Sequence, residues 1–428
     1  MSPEQFQFNL EFAKDQDHRD ALASFREEFL FPQFKGGKCL YFTGNSLGLQ
    51  PKEAKAALEL ELEDWATWGV EGHFHARNPW YSYHEKFSPL LAELTGSLPL
   101  EVVAMNGLTV NLHLLMASFY RPSAKRCKIL TERKAFPSDL YAVESQIKFH
   151  GYNPQDNHIE IEASGDSAII EEAEIERVLQ EQGDEIALVL LGGVNYYSGQ
   201  VLDIPRITRA AHNAGAVIGF DLAHAIGNIP LRLHEWGPDF ACWCSYKYLN
   251  SGPGSVAGAF VHERHALNRN LPRLAGWWGH NKDSRFQMEA DFDPIPGAEG
   301  WQLSNAPVLS MAVHKLALEQ FSRAGMDNLR EKSLRLTAYL EFVIEHVTKN
   351  STSAPFELVS PSDPNRRGCQ LSIRCHGHGR GLFQALNERG VIADWREPNV
   401  IRLAPVPLYN NFEDIYHFGS ILLSILNS

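Results

Sequence analysis

The 428-residue chain has only six cysteines, scattered along its length. That is too sparse for a disulfide framework, so a reducing cytosol is the expected compartment. Basic runs are missing as well, and Asp plus Glu outnumber Lys plus Arg by 52 to 39, a net charge of −13. Such a chain repels polyphosphate, so nucleic acid is not an expected partner, and any phosphate must sit in a local pocket. The opening Met-Ser-Pro-Glu-Gln lacks the basic start and apolar run of a signal peptide. The longest near-apolar run, Ile186 to Tyr197, is broken by glycines and too short for a bilayer, so no membrane association is expected. No repeat or low-complexity segment occurs. No Gly-x-Gly-x-x-Gly follows an early strand, which argues against a dinucleotide fold. Cys242-x-Cys244 has no second cysteine pair at metal spacing, so no metal is expected. His376-Gly-His378 reads as a solvated turn.

What is present is a globular composition, 44% hydrophobic and 21% charged. A chain of this length exceeds the roughly 250–300 residues at which single cores stop growing, so two domains are expected. Pro51 to Trp68 has helical spacing, with Ala54, Ala57, Leu58, Leu62 and Trp65 on one side. Buried strands are expected at Ala187–Leu191, Ala216–Phe220, Asp239–Cys244 and Val256–His262. A helix opens between the first two, with Asp203 as N-cap and Pro205 in its first turn. Alternation of this kind predicts an α/β fold with a mostly parallel sheet covered on both faces. After about residue 305 the character changes. Long helices over Pro307–Arg323 and Met326–Val347 lead, through a polar stretch at Ser351–Arg367, into shorter segments at Cys369–Arg374, Gly381–Arg389 and Val400–Ala404, and a closing helix from Glu413. This predicts a smaller α+β domain.

Asp221 and Lys247 both stand at carboxyl ends of predicted strands, where open α/β sheets bind ligands, and are 26 residues apart. A pyridoxal site needs such a pair: an amine for the aldehyde and a carboxylate that keeps the pyridine nitrogen protonated. The apolar approach to Lys247 favours its neutral, nucleophilic form. Alone, a strand-end Asp reads as a turn or cap residue and a strand-end Lys as a solvated one; the pair at this spacing is what raises the pyridoxal reading. Two stretches offer themselves to a phosphate. Asn106–Asn111, with Gly107 and Thr109, leads into a helix whose amino terminus attracts anions; Tyr246 with the glycines of Ser251-Gly-Pro-Gly254 is the other. Phe136 can stack on a flat ring or fill core. Arg402, in an apolar stretch, needs an anion, which is either a substrate carboxylate or a structural partner. His73 and His75, near Trp80 and Tyr81, have no assignable purpose on sequence alone.

Six stretches, in order from about residue 40 to the end, resemble kynureninase, of the class V aminotransferase group. They are Tyr41–Leu49 (YFTGNSLGL), Leu108–Leu115 (LTVNLHLL), Lys134–Asp139 (KAFPSD), Gly219–Ala225 (GFDLAHA), Asp239–Asn250 (DFACWCSYKYLN) and Val400–Tyr409 (VIRLAPVPLY). The resemblance implies the type I pyridoxal-phosphate fold, with an N-terminal helical arm over 1–40, a large cofactor domain over 41–306 and a small C-terminal domain over 307–428. It implies pyridoxal 5′-phosphate held on Lys247 as a Schiff base. Asp221 would sit at the pyridine nitrogen, with His224 beside it. Leu108, Thr109 and Tyr246 would hold the phosphate, with Tyr246 counted among the catalytic residues. The run Phe136, Pro137, Ser138, Asp139 would line the ring. Ser46, His73, Ser304 and Asn305 would face the substrate, Arg402 would clamp its α-carboxylate, and Trp277 and Asn305 would reach across a homodimer interface. Gly192 departs from relatives that carry Ser there. The implied reaction is hydrolytic Cβ–Cγ cleavage of L-kynurenine or 3-hydroxy-L-kynurenine to L-alanine and anthranilate or its 3-hydroxy form, in tryptophan catabolism or pyridine nucleotide biosynthesis. His73, Ser304 and Asn305 favour the hydroxylated substrate. Two rivals stand beside it. A cysteine desulfurase or aminotransferase of the same group is one; Cys369 and Cys375 are the only late cysteines a desulfurase could use. The other is a catalytically silent scaffold, which predicts loss of Lys247 or Asp221.

Overall fold

The computed structural model describes residues 6–163, 168–266, 268–351 and 356–427. The opening pentapeptide and part of the polar stretch after residue 351 therefore lie outside the described residues. The central sheet has seven strands: β1 (Val102–Ala104), β2 (Lys128–Glu132), β3 (His158–Ile161), β4 (Ile186–Gly192), β5 (Val217–Asp221), β6 (Phe240–Trp243) and β7 (Gly258–Val261). Their spatial order is β1-β7-β6-β5-β4-β2-β3. All neighbours are parallel except β7, which runs antiparallel to β6 and β1. The predicted sheet is thus present, with one reversal that the apolar run at Val256 did not announce.

Both sheet faces are covered, which is why its strands read as continuous apolar runs. Leu190, Phe240 and Cys242 pack with Leu112, Leu115 and Val143 of the helices Leu108–Phe119 and Pro137–Phe149. Val189, Leu191, Ala241 and Trp243 pack with Ile175, Leu179 and Ile207 of the helices Glu172–Gln182 and Ile204–Asn213. Asp203 caps the latter helix as predicted, its Oδ1 accepting from Arg206 N–H at 3.0 Å.

The C-terminal part carries an antiparallel sheet of four strands, β8 (Phe356–Leu358), β9 (Leu371–Cys375), β10 (Asp394–Arg396) and β11 (Val400–Leu403), in the order β8-β9-β11-β10. It has its own apolar cluster, which includes Tyr339 and Val343 of the helix Met326–Asn350 and Phe418 and Leu422 of the helix Phe412–Leu426. The N-terminal helix Leu10–His18 docks here: Asp17 accepts from Phe412 N–H at 2.8 Å and Glu413 N–H at 3.0 Å. Leu40–Tyr41 also pairs with Val391–Ile392.

The helix predicted from Pro51 runs over Ala54–Trp68, but only the start of its expected face is turned inward: Ala54 is buried and Ala57 and Leu58 are partly so. Glu61 and Asp64 are buried, whereas Leu62 is 46% and Trp65 60% exposed. The segment behind the helix supplies the reason. Asn78, Trp80 and Tyr83 donate to Glu61 at 3.0–3.1 Å, and Arg77 donates to Asp64 through both N and Nε at 2.8 Å. Donors that meet inward acids satisfy the charge that burial would otherwise penalise. No helix among the described residues is long and apolar enough to cross a membrane.

Candidate active site

Asp221 is the last residue of β5, in register with Gly192 on β4 and Cys242 on β6, at the carboxyl edge of the sheet. Lys247 follows β6 by a short turn. Two features shape that turn. Asn250, at φ +57°, closes it by donating its N–H to Lys247 O at 3.0 Å. The Gly44–Gly48 loop packs against it, Gly48 N–H donating to Tyr246 O at 2.8 Å. A Cβ at position 48 would lie 2.5 Å from Lys247 O, so only glycine permits this approach.

Asp221 and Lys247 line one pocket of about 290 Å³, together with Leu108, Thr109, Phe136, Ser138, Asp139, His224 and Tyr246. The helix Leu108–Phe119 begins at its wall. Gly107 is the N-cap and no side chain caps the first turn, so the first N–H groups point at the pocket with the positive end of the helix dipole. Thr109 Oγ1 and Ser138 Oγ lie 2.9 Å apart beside it. Lys247 Nζ stands 5.8 Å from the centroid of Phe136.

The pocket is strongly polarised. Asp221 Oδ1 accepts from Ala223 N–H at 2.7 Å. Burial, then the adjacent Asp221 carboxylate, pushes Asp139 well above the usual carboxylate range, and the two share a hydrogen bond. Glu132, at the end of β2, is pushed from 4.5 to about 7, chiefly by burial, although it accepts from Asn195 Nδ2 at 3.0 Å. Burial and the positive charges of Lys247, Arg402 and Arg396 hold His224 neutral, far below its usual range. Its Nδ1 is buried without a partner. Burial likewise raises the Tyr246 hydroxyl, which is hydrogen-bonded to Cys244.

Arg402 lies on β11 and is 1% exposed. It is not a free cation. Nη1 donates to Tyr196 O at 2.6 Å, and Nη2 contacts Ser46 Oγ at 3.2 Å and the Asp394 carboxylate. Of the two partners the sequence left open, an internal one is therefore present. Tyr196 itself lines the pocket, so this cluster abuts the Lys247 end.

The sequence profile described as the kynureninase C-terminal domain matches residues 329–422. Kynureninases of Flavobacterium psychrophilum and Flavobacterium johnsoniae are 55% and 56% identical over 417 residues, covering 97% of this chain and 98% of each relative. That of Myxococcus xanthus is 50% identical, with 98% of both chains covered. The chain belongs to the kynureninase family. Solved structures agree in fold at much lower identity. An Escherichia coli cysteine desulfurase, 16% identical, superposes with a TM-score of 0.75 over 95% of this chain and 99% of its own. A cystine C–S lyase in complex with cysteine persulfide, 17% identical, gives 0.75 over 90% and 97%.

Not every residue that kynureninase resemblance points to lies in this pocket. Pro137 is exposed at the start of its helix. Ser304 and Asn305 are exposed, and Trp277 is 46% exposed with Nε1 donating to Arg285 O at 3.1 Å. His73 is half-buried, its Nδ1 2.9 Å from Val70 O. The Ser251–Gly254 turn does not line the pocket; Ser251 pairs with His314 Nδ1 at 2.8 Å instead. Glu101, His234 and His262 bring potential metal-ligand atoms within 4.8 Å of one another. Both Glu101 oxygens are already taken by Leu98 N–H at 2.9 Å and Glu263 N–H at 2.8 Å, so this cluster ties chain segments together.

Sequence reading missed Glu132, Tyr196 and Asp394. Glu132 carries the same signal as Asp221, a carboxylate ending an apolar strand. Asp394 carries a fainter one, since the alternation Asp394-Trp395-Arg396 sets an acid and a base on one strand face. The departure at Gly192 also acquires a neighbour. A Cβ there would lie 2.9 Å from Glu132 Oε1, so a serine would press on that carboxylate.

Proposed function

We propose that this kynureninase-family chain binds pyridoxal 5′-phosphate on Lys247 and hydrolyses L-kynurenine and 3-hydroxy-L-kynurenine at the Cβ–Cγ bond. The observation that carries the reading is that Lys247 and Asp221 line one pocket with an uncapped helix amino terminus at its wall. The pocket fits the cofactor chemically. The first-turn N–H groups with Thr109 and Ser138 suit a phosphate, Phe136 suits a flat ring, and the partnerless His224 Nδ1 awaits a polar neighbour. When bound, pyridoxal phosphate supplies an aldehyde for covalent attachment and a ring that accepts electrons from the substrate.

The chain's own residues do the rest. Asp221, fixed by Ala223 N–H and hydrogen-bonded to Asp139, would hold a proton at the ring nitrogen. Lys247 Nζ would hold the cofactor and would be the base for the substrate Cα proton. Tyr246, whose hydroxyl burial keeps protonated, is the nearby oxygen acid. Arg402 and Ser46 orient the substrate carboxylate. Trp277 and Asn305 serve the site of a partner subunit in a homodimer, with Ser304 and His73 in the substrate pocket. The exposed Leu62 and Trp65 supply an apolar face for such an interface. All six cysteines are unpaired, which fits a cytoplasmic enzyme.

A desulfurase remains the rival with a structural likeness. Against it, both late cysteines are buried, and burial pushes the Cys369 and Cys375 thiols up to about 12, away from the reactive thiolate. The test is direct. Incubation with kynurenine should release fluorescent anthranilate and L-alanine; sulfide from cysteine without anthranilate would reverse the assignment.

A further inference from the structure

Arg402 is buried beside the cofactor pocket, and what holds its guanidinium decides where that charge points. Asp394 stands opposite it across β10 and β11, in direct register. The Asp394 Oδ2 atom gathers three donors: Ser46 Oγ at 2.5 Å, Arg396 Nη2 at 3.2 Å and Arg402 Nη2. Arg402 Nη1 is spent on Tyr196 O, whereas its Nε is buried without a partner, as is Nε of Arg396. Within this bonded group two guanidinium charges face one carboxylate. Asp394 is therefore shared between two cations, and the buried Arg402 is left with an unused Nε–H. A buried excess of this kind calls for a second anion.

We propose that Asp394 is a positioning residue for carboxylate recognition: it aims Arg402 and Ser46 toward the Lys247 pocket, and Arg396 anchors Asp394 from behind. The α-carboxylate of an amino-acid substrate is then the second anion, seated on Arg402 while Asp394 stays in place. This rests on the reading of Lys247 as the cofactor lysine, but not on kynurenine being the substrate. Asp394 touches neither the reacting bond nor the pocket lining, so its effect is exerted on binding.

The experiment titrates the holoenzyme with L-alanine, following cofactor absorbance, and in parallel with ethylamine, which has the amine but no carboxylate. For Asp394→Asn we expect the L-alanine dissociation constant to rise about tenfold, the loss of one hydrogen bond to a charged group, with that of ethylamine unchanged. Arg396→Gln, at a partly exposed position, should move alanine in the same direction by about threefold. Equal weakening of both amines would overturn the proposal in favour of a structural role. Unchanged or tighter alanine binding would overturn it too, making Asp394 an idle partner or a competitor. A wild-type enzyme that binds alanine but releases no anthranilate would refute the kynurenine reading and leave this one intact.

Discussion

The two ends of the site are built on opposite terms. The Lys247 end, on the large sheet, keeps open polar groups: a helix amino terminus without a cap, and a buried His224 nitrogen without a partner. The Arg402 end, on the small sheet, already holds resident partners: Tyr196, Ser46 and Asp394 engage its guanidinium, and only Nε is left open. The first end waits for a cofactor that stays. On the proposed function the second would accept and release a carboxylate in every turnover, and a charge held by resident partners needs little rearrangement to do so. Permanent binding is served by donors left open for the cofactor; transient binding is served by a cation already fixed by resident partners, with Nε left over.

The sharpest way to break this contrast is at the first end. Lys247→Ala should lower turnover by about 10⁴-fold or more and leave protein without covalently held cofactor, read by anthranilate fluorescence and absorbance. Asp221→Asn should lower kcat by about 10²–10³-fold with the cofactor still attached, because only ring protonation is lost. At the second end, Arg402→Ala should raise KM by about 10²-fold and leave cofactor retention intact. Equal loss of both would make Arg402 structural and erase the difference between the ends.

Smaller effects refine it. Glu132 is raised from 4.5 to about 7, so folding favours its protonated form. Its contribution is complete below the unfolded value and is lost as pH rises through the folded one. Thermal unfolding should therefore show stability falling by about 1–2 kcal/mol between about pH 5.5 and about pH 7, and Glu132→Gln should flatten that slope. Thr109→Val should weaken cofactor retention by only about tenfold or less in a dialysis assay, since the backbone N–H groups remain.

The same contrast explains what was legible. Asp221 ends a strand and Lys247 follows another by a short turn, both strands being visible as apolar runs in the sequence, and Gly107 sits where a helix visibly starts, so the first end could be assembled from linear spacing. Asp394 and Ser46 are 348 residues apart and meet only through the fold. Linear spacing carries no trace of such a pair. The helix Ala54–Trp68 makes the same point from the other side. Its apolar spacing was visible, but the donors that draw Glu61 and Asp64 inward come from Arg77–Tyr83, so the buried face was decided by a later segment. The reversal of β7 is likewise a matter of connection, not of composition.

One measurement bears most directly on the central claim. Purified enzyme is treated with borohydride, which fixes the cofactor to whichever amine holds it, then digested and its peptides mapped by mass. A single pyridoxyl-phosphate adduct is expected, on Lys247 in the peptide that contains Tyr246 and Tyr248. An adduct on another lysine, or none on a protein that still cleaves kynurenine, would contradict it.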